Sequence, residues 1–413
     1  MNRIEKLIEE MCPEGVHETK VADLYNYLQP TKYLVSSTEY VSSGTPVLTA
    51  GQSFLLGYTE EVDGIYSASE ASPVILFDDF TTSFKWVDFP FKVKSSAAKF
   101  IRPNDGNAQT LRFLFHWMGS VGYQPGEHSR QWISKYSQLS MPAPPMEIQK
   151  EIVKILDKFT ELEAELEAEL EAREKQYEEV RRRLLDFESD KSNHPLGEMI
   201  REMCPEGVPL VPLADAIHSL RTGLNPRNNF KLNPSDQVGA YVTVRELSGF
   251  EIRVSDKTDR VNSEALSLIQ NRSKLSPGDV LFSGTGTIGR TALVAEPPSL
   301  WNIKEGVYAI TPNSQILDSR YLIYFFQSSE TKTLLDQQSA GSTVKSISFA
   351  VLNRIPIPLP PLEIQKEIVR ILDNLDSLVN SVNEGIPAEI ETRRKQYEYY
   401  RDKLLTFKEL ESV

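Results

Sequence analysis

The sequence has few of the residues and motifs on which secreted, membrane and hydrolytic proteins depend. Only two of its 413 residues are cysteines, Cys12 and Cys204, which excludes a disulfide framework or a zinc ribbon and fits a reducing cytoplasm. No run of about 18 uncharged apolar residues occurs, so no membrane span is predicted. The five histidines are scattered singly, and neither GxSxG nor HExxH is present. The sequence therefore offers no recognisable nucleophile or zinc site.

Negative charge dominates the chain as a whole but not its two largest segments. The net charge of −13 argues at first against a nucleic-acid partner. Residues 17–143 hold 10 basic and 12 acidic side chains, and residues 209–357 hold 15 and 13, so their net charges are −2 and +2. A near-neutral domain can bind DNA if its basic residues share one face. Composition therefore permits DNA binding without requiring it.

Three segments occur twice, in the same order, which indicates a duplicated chain. The first pair is 12 of 14 identical and the second is 8 of 13 identical. The pairs are PPMEIQKEIVKILD (Pro144–Asp157) with PPLEIQKEIVRILD (Pro360–Asp373), KQYEEVRRRLLDF (Lys175–Phe187) with KQYEYYRDKLLTF (Lys395–Phe407), and MCPEGV at Met11–Val16 and Met203–Val208. The stretches between the copies, 17–141 and 209–355, share no visible similarity.

The long repeated segments have the apolar spacing of coiled-coil helices, with steps of four and three residues. Two such stripes in one chain most simply pack on each other as an antiparallel pair with pseudo-twofold symmetry. The alternative is that each helix packs only on its own domain. The expected subunit-interface residues of these helices are Ile148, Ile152, Ile155, Phe159, Leu162, Leu166, Ile364, Ile368, Ile371, Leu375, Leu378 and Val382.

The expected fold class is mixed α/β (α+β), with two globular domains separated by the two-helix coiled coil. The expected segments are a short N-terminal helical segment at 1–16, a first domain at 17–143, a long helix at 144–193, a short helical segment at 194–208, a second domain at 209–359 and a second long helix at 360–413. Strands are predicted at Ser72–Phe80, Phe84–Val93 and Gly278–Gly284, and helices at Leu111–Ser120 and Arg320–Ser329.

Two motifs invite enzymatic interpretations that their surroundings do not support. GTGTIG (Gly284–Gly289) matches GxGxxG, but TALVAEPPSLW follows instead of the helix that a dinucleotide site requires. A tight glycine turn between strands, approaching a DNA backbone, is the favoured interpretation. The pair Asp78–Asp79 suggests a nuclease metal site, but no further acidic residue and lysine complete the pattern. Structural carboxylates are favoured there.

Both large domains contain basic residues interleaved with aromatic and amide residues, although each cluster alone is more often solvated surface. Arginine and lysine can bind guanine edges or phosphates, asparagine and glutamine can bind adenine, and serine serves either purpose. The candidate DNA-binding residues are Lys85, Trp86, Lys92, Lys94, Lys99, Arg130, Gln131, Arg221, Asn225, Arg227, Arg245, Arg290, Lys345 and Ser346. No catalytic and no metal-ligating residue is assigned.

The chain resembles, along essentially its whole length, the specificity (S, or HsdS) subunit of type I restriction-modification systems, most closely the IC branch. The duplicated helices with two dissimilar domains between them carry the resemblance. Supporting marks in the first domain are PVLTAGQ (Pro46–Gln52), FDDFTTSFKWVDFPFKVKSSA (Phe77–Ala97) and RQWISKYSQ (Arg130–Gln138), and GSTVKSIS before LNRIPIPLPP supports it in the second.

The resemblance implies a DNA-binding, non-catalytic, cytoplasmic protein with one target recognition domain on each half of a bipartite site. It also implies two methyltransferase (M) subunits packed on the conserved helices and two motor-nuclease (R) subunits. No cofactor is expected on this chain, because S-adenosylmethionine, ATP and Mg would be bound by the partner subunits.

Two other classes of function remain alternatives. One is a methyltransferase or nuclease, which a tetrapeptide of the NPPF or DPPY type would indicate, and the sequence contains none. The other is a coiled-coil scaffold that binds only protein. A scaffold predicts that the chain and its methylase neighbour show no sequence preference on DNA.

The first long helix contains ELEAELEAELEA (Glu161–Ala172), and its copy number should set the spacer between half-sites. Each unit adds about 6 Å of helix, close to two base pairs of about 3.4 Å. Deletion of Glu165–Ala168 should keep the helix, since its residues are strong helix formers, and should shorten the spacer by one or two base pairs. Methylome mapping measures this, and an unchanged spacer with full activity would contradict it.

Overall fold

The computed structural model describes residues 3–51, 53–126, 129–187, 194–227, 229–298, 300–339, 345–380 and 385–410. The chain divides into two compact units. The first comprises Met1–Ala168 together with Glu389–Val413, and the second comprises Glu169–Ala388. The first unit therefore includes the last segment of the second sequence copy, and the second unit includes the last part of the first long helix.

The first unit contains one domain and parts of two long helices. Its elements are α1 Arg3–Met11, β1 Glu18–Lys20, α2 Val21–Leu24, β2 Tyr25–Leu28, β3 Thr45–Leu48, β4 Leu55–Thr59, β5 Val74–Asp78, β6 Phe84–Val87, β7 Lys92–Val93, β8 Ala98–Pro103, α3 Ala108–Ser120, β9 Ser140–Pro142 and the first part of α4 Met146–Leu185.

The second unit contains the rest of α4 and a second domain. Its further elements are α5 Gly197–Met203, β10 Leu210–Pro212, β11 Ile217–Thr222, β12 Gly239–Val242, β13 Leu247–Ser248, β14 Glu251–Ile252, β15 Arg260–Val261, α6 Ser263–Ser273, β16 Val280–Ser283, β17 Thr291–Leu293, β18 Trp301–Ile303, β19 Val307–Pro312, α7 Ser319–Gln327, α8 Ser329–Gln338, α9 Phe349–Leu352, β20 Pro356–Pro358 and α10 Leu362–Asn380. The last helix, α11 Ile386–Leu405, lies mostly in the first unit.

The two domains have the same sheet topology despite their unrelated sequences. A four-stranded antiparallel sheet has the order β2-β8-β5-β6 in the first unit and β11-β19-β16-β17 in the second. A three-stranded sheet has the order β4-β3-β7 in one and β15-β12-β18 in the other, each with one parallel pair. In each four-stranded sheet, one hairpin therefore lies at an edge. It is β5–β6 in the first unit and β16–β17 in the second.

Each domain also carries one buried amphipathic helix in the same place in the chain order. In α3, the side chain of Asn107 accepts a hydrogen bond from the backbone N–H of Gln109, which caps the first turn. Asp318 caps α7 in the same way, by accepting from the N–H groups of Arg320 and Tyr321. These caps fix where each helix begins, and each helix then buries its apolar face against the sheet and a long helix.

The long helices pack both on each other and on the domains. In the first unit, Arg394 of α11 pairs with Glu163 at 2.5 Å and Glu167 at 2.6 Å, whereas the ring of Phe159 stacks on Tyr400 with centroids 5.5 Å apart. Residue numbers rise along α4 as they fall along α11, so the pair is antiparallel, as the sequence predicts. In the second unit, the end of α4 shares a core with α10.

The second long helix is interrupted near Pro387, as expected because proline removes a hydrogen bond from a helix interior. Helix α10 ends at Asn380 and α11 begins at Ile386, with Pro387 in its first turn. Gly385 has a φ of +83°, in the left-handed region that glycine adopts without strain. An added Cβ there would lie 2.6 Å from the carbonyl oxygen of Leu378, so glycine is required for two reasons.

Several predicted elements are confirmed with altered bounds. The strand predicted at Phe84–Val93 is two strands, because Pro90 and its neighbours separate β6 from β7. The helix predicted at Arg320–Ser329 ends at Gln327, and Ser328 caps a separate helix, α8. In the part of the chain that the structure describes, no helix has the length and apolar character needed to cross a membrane.

Candidate nucleic-acid interface

The turn of the β5–β6 hairpin contains three hydroxyl side chains in the first unit, of which Thr81 is exposed, Ser83 is half-buried and Thr82 is buried. The side chain of Asp78 accepts hydrogen bonds from the backbone N–H groups of Phe80 and Thr81, both at 2.9 Å, which tightens the turn. Thr82 has a φ of +59°, an uncommon conformation for a β-branched residue. Thr81, Thr82 and Ser83 therefore occupy a constrained turn at the sheet edge.

The neighbouring carboxylate, Asp79, fixes a second segment against this turn. Its side chain is fully buried and accepts from the backbone N–H groups of Gln131 and Trp132 at 3.1 and 2.8 Å. The buried ammonium of Lys99 lies 3.3 Å from its other oxygen. Arg130 is thereby held beside the turn, with its guanidinium 3.6 Å from Asp79 and 56% of its side chain exposed.

The two aspartates thus have structural roles, which the sequence analysis favours. They do not support the alternative interpretation, a nuclease metal site. Asp78 shapes the turn and Asp79 anchors the segment that carries Arg130. Across the described residues, no group of three or more histidine, cysteine, aspartate or glutamate side chains could hold a metal ion.

The β16–β17 hairpin of the second unit has the same relation to a late segment of its domain. Its turn is GTGTIG, and the backbone N–H of Gly286 donates to the carbonyl of Lys345 at 2.9 Å. The N–H of Ile347 donates to the carbonyl of Gly284 at 2.9 Å. An added Cβ at Gly284 would meet the ring of Tyr308 at 2.2 Å, so close packing requires that glycine. The predicted turn between strands is confirmed, since strand β17 follows it.

Exposed cations surround this second turn. Arg290 is exposed and its guanidinium donates to the carbonyl of Val244 at 3.4 Å, next to Arg245 in the chain. Arg245 contacts Asp259 at 3.3 Å with 58% of its side chain exposed. Lys345 pairs with Asp336 at 2.9 Å and is 54% exposed. Exposed pairs of this kind contribute little to stability, so these cations can exchange their partners for phosphate.

Four of the candidate DNA-binding side chains instead contact residues of their own domain. Lys92 is buried and contacts Glu61 at 2.8 Å, and Lys99 is buried beside Asp79. Gln131 is fully buried, and Arg221 binds Asp279, Thr311 and the carbonyl of Lys274. Residue type alone could not separate these internal partners from surface cations. We exclude these four from the interface proposed below.

The remaining candidates differ in exposure. Lys94 and Arg227 are exposed, whereas Lys85, Asn225 and Ser346 are half-buried. Trp86 is half-buried too, and its ring lies 4.6 Å from the guanidinium of Arg112, so it packs towards α3. The described hydroxyls of Thr81, Ser83, Thr285 and Thr287 were not among the candidates. Their signal in the sequence was the pair of short Ser/Thr-rich turns that follow the strands at Phe77–Asp78 and Leu281–Ser283.

Comparison with known proteins identifies the chain. A family model described as the type I restriction modification DNA specificity domain matches residues 13–172 and 249–392. The EcoR124I/EcoR124II specificity subunit of Escherichia coli is 39% identical over 429 aligned residues, which cover 100% of this chain and 99% of that protein. The chain belongs to the type I specificity subunits. As a specificity subunit it recognises DNA sequence, and catalysis lies on partner subunits.

Further relatives agree with this assignment. A putative type I specificity subunit of Haemophilus influenzae is 28% identical, with 98% of each chain covered. Among solved structures, a chain of a type I R-M system has a TM-score of 0.59 at 16% identity, covering 95% of this chain and 98% of its own. The S subunit from M. genitalium has a TM-score of 0.53 at 13% identity, covering 94% and 96%. At these identities the structures support the fold alone. Membership of the IC branch stays a prediction.

The helix residues expected at subunit interfaces of the specificity subunit lie in three environments. Ile148, Ile152, Ile364 and Ile368 are fully buried in the domain cores, and Ile155, Ile371 and Leu375 are partly buried against those cores. Phe159, Leu162 and Leu166 are half-buried along α4, and Leu378 is 36% exposed on α10. Val382 lies outside the described residues. The start of each repeat therefore belongs to a domain core, and the later positions are more open.

Replacement of Arg130 tests the first turn as a DNA contact. Arg130→Ala should weaken binding to the cognate site by about tenfold, the scale expected for one lost arginine contact, without lowering the melting temperature. Arg3→Ala is the matched control, since Arg3 is 73% exposed in the same unit and pairs with Glu151 on a helix. Titration with the DNA site obtained from methylome mapping measures both affinities.

Asp79→Ala tests the structural role of the buried carboxylate that holds the Arg130 segment. It should lower the free energy of unfolding by about 3 kcal/mol, because it leaves the Lys99 ammonium buried without its carboxylate.

Equal DNA affinity for Arg130→Ala and the unaltered chain would remove this turn from the interface.

Proposed function

We propose that this specificity subunit reads a bipartite DNA site, with one recognition domain on each half-site and a spacer of unspecified sequence between them. The domains are residues 17–143 and 209–359. A conserved helix follows each of them, at 144–193 and 360–413, and a short helical segment precedes each of them, at 1–16 and 194–208. The observation that carries the proposal is one sheet topology repeated on two unrelated sequences. A common scaffold with different surface residues fits two half-sites of different sequence.

The interface proposed in each unit is the edge-hairpin turn and the segment bound to it. In the first unit this comprises Thr81, Ser83 and Arg130, with Lys85 and Lys94 nearby in the sequence. In the second it comprises Thr285, Thr287, Arg290, Lys345 and Ser346, extended by Arg245, Asn225 and Arg227. Hydroxyls and guanidinium groups can bind both phosphate oxygens and base edges, so the turns supply positioning and sequence readout together.

The same proposal assigns the partners. Two methyltransferase subunits dock on the helices, which are nearly identical in the two copies and therefore offer two equivalent faces. Apolar side chains at one matched position of the two helices support this, since Leu378 is exposed and its counterpart Leu162 is half-buried. Two R subunits complete the restriction complex. S-adenosylmethionine, ATP and Mg belong to the partner subunits, no cofactor is held by this chain, and the complex acts in the cytoplasm.

Methylome sequencing tests the function directly. Cells that express the chain with its neighbouring M subunit should show one methylated motif with two specific halves and a fixed spacer. A single continuous motif, or methylation without any sequence preference, would contradict a two-domain reader.

Exchange of one domain tests whether the half-sites are read independently. Replacement of residues 17–141 by the first domain of another specificity subunit should change one half of the methylated motif. The other half and the spacer should stay the same, because residues 209–355 and the helices are untouched. The complementary exchange of 209–355 is the matched control and should change only the other half. A change in both halves after one exchange would show that the domains do not read independently.

A further inference from the structure

A network of four polar side chains joins the first domain to both of the helices that it contacts. Asp157 of α4 accepts from the Nε of Arg112 and from the Nε2 of His116, both at 2.7 Å. The other ring nitrogen of His116 is 3.0 Å from the hydroxyl of Tyr397 in α11. The guanidinium of Arg112 also lies over the ring of Trp86. One domain helix is thus bonded to a residue of each long helix.

The protonation states follow from burial and from these bonds. Burial lowers the pKa of His116 below its usual 6.5, although the bond to Asp157 acts in the opposite direction. The imidazole is therefore neutral at pH 7, with Nε2–H donating to Asp157 and Nδ1 accepting from the Tyr397 hydroxyl. Burial alone would raise the pKa of Asp157, but His116 and Arg112 together hold it below its usual value. At neutral pH, Asp157 and Arg112 are therefore charged, His116 and Tyr397 are neutral, and all four side chains are bonded.

The second unit contains a corresponding set of four side chains, three of which are bonded to one another. Asp373 of α10 receives two hydrogen bonds from Arg320, at 3.1 and 2.6 Å, and one from the hydroxyl of Tyr324 at 2.5 Å. The Arg320 guanidinium lies 4.1 Å from the ring centroid of Phe250. Tyr177 of α4 is buried in the same core cluster. Its hydroxyl has no hydrogen-bond partner among the described residues.

The two networks correspond residue by residue through the duplication. Asp157 and Asp373 are the last residues of the two copies of the PPxEIQKEIVxILD segment, and Tyr397 and Tyr177 occupy the same position of the two KQYE segments. In each unit the aspartate comes from one copy and the tyrosine from the other. The domain supplies an arginine and, four residues later, a histidine in the first unit or a tyrosine in the second. This last position is the only one of the four at which the residue types differ. These domain residues recur although the domain sequences are otherwise dissimilar.

We propose that these two networks are the positioning contacts that fix each recognition domain on its helices, and that they thereby set how strictly the spacer is measured. The proposal rests on the bipartite function above. Apolar packing is not directional, so it alone would let a domain shift on its helix. The bidentate pair of Arg320 with Asp373 has one geometry. Arg112 and Arg320 each lie between a carboxylate and an aromatic ring, which leaves either guanidinium little freedom. Neither network includes a residue of the proposed DNA interface.

Asp373→Asn in the full chain, expressed with its M subunit, is the direct test. The half-site sequences should stay the same, while sites with a spacer one base pair longer or shorter become modified. The preference for the native spacer over these two should fall by roughly fivefold, the scale expected for one partly exposed ion pair. Binding to three duplexes that differ only in spacer length gives the ratio.

Two variants at one position separate geometry from general stability. Tyr324→Phe removes the hydroxyl that binds Asp373 and should relax the spacer as Asp373→Asn does. Tyr324→His recreates the arrangement at His116, since an imidazole can bind Asp373 and accept from Tyr177, and should keep the native preference. Glu367→Gln is the matched control, because it breaks the pair with Arg370 within the same helix, at 2.6 Å, without touching the domain.

The outcomes distinguish this proposal from the function on which it rests. Unchanged spacer preference with full modification in both Asp373→Asn and Tyr324→Phe would overturn it, and so would any change in a half-site sequence. If Asp373→Asn fails to fold, as thermal melting would show, Tyr324→Phe decides by the same ratio. If the unaltered chain directs no bipartite methylation, the proposed function itself is wrong.

Discussion

The structure depends on the packing of each conserved helix segment against a segment from the other copy. The start of a repeat, which ends in Asp157 or Asp373, packs on its own domain, and the KQYE segment that completes the unit comes from the other copy. Apolar burial supplies most of the stabilisation, since Ile148, Ile152, Leu156 and their counterparts are fully buried. Each unit therefore combines a domain and the start of one repeat from one sequence copy with a KQYE segment from the other copy. Duplication of the helices is therefore a requirement of the fold as well as a trace of its origin.

This arrangement explains how the two domains can differ so much in sequence. A domain has to supply one sheet topology, one capped helix and the few side chains that meet the helices. The hairpin turns at the sheet edges are outside those requirements, so their residues can vary with the DNA half-site. One constraint is visible even there, because Gly284 has to remain glycine against the ring of Tyr308. Under the proposed function, specificity and assembly thus depend on different residues of one small domain.

Much of the architecture could be predicted from the sequence because it repeats. The matched helices, the antiparallel pairing within the first unit, the break near Pro387 and the glycine turn at Gly284–Gly289 all follow from local patterns, and the structure contains them. The common topology of the domains could not be predicted, since different side chains satisfy the same strand pairings. Only position in the fold distinguishes Lys99, buried beside Asp79, from Lys94, which is exposed. The network at Asp157 joins His116 to a residue 281 positions away, and no periodicity reports such a contact.

If each unit needs one helix segment from each copy, one copy should be able to take the place of the other in a fragment ending at residue 191. This fragment has one recognition domain, Asp157 and its own Tyr177, but lacks Tyr397. Two copies can complete each other if Tyr177 of one takes the place of Tyr397 beside His116 of the other. We expect a dimer by light scattering in the presence of the M subunit, and methylation at a palindrome of the first half-site. A fragment that stays strictly monomeric under these conditions would show that the two copies cannot replace each other.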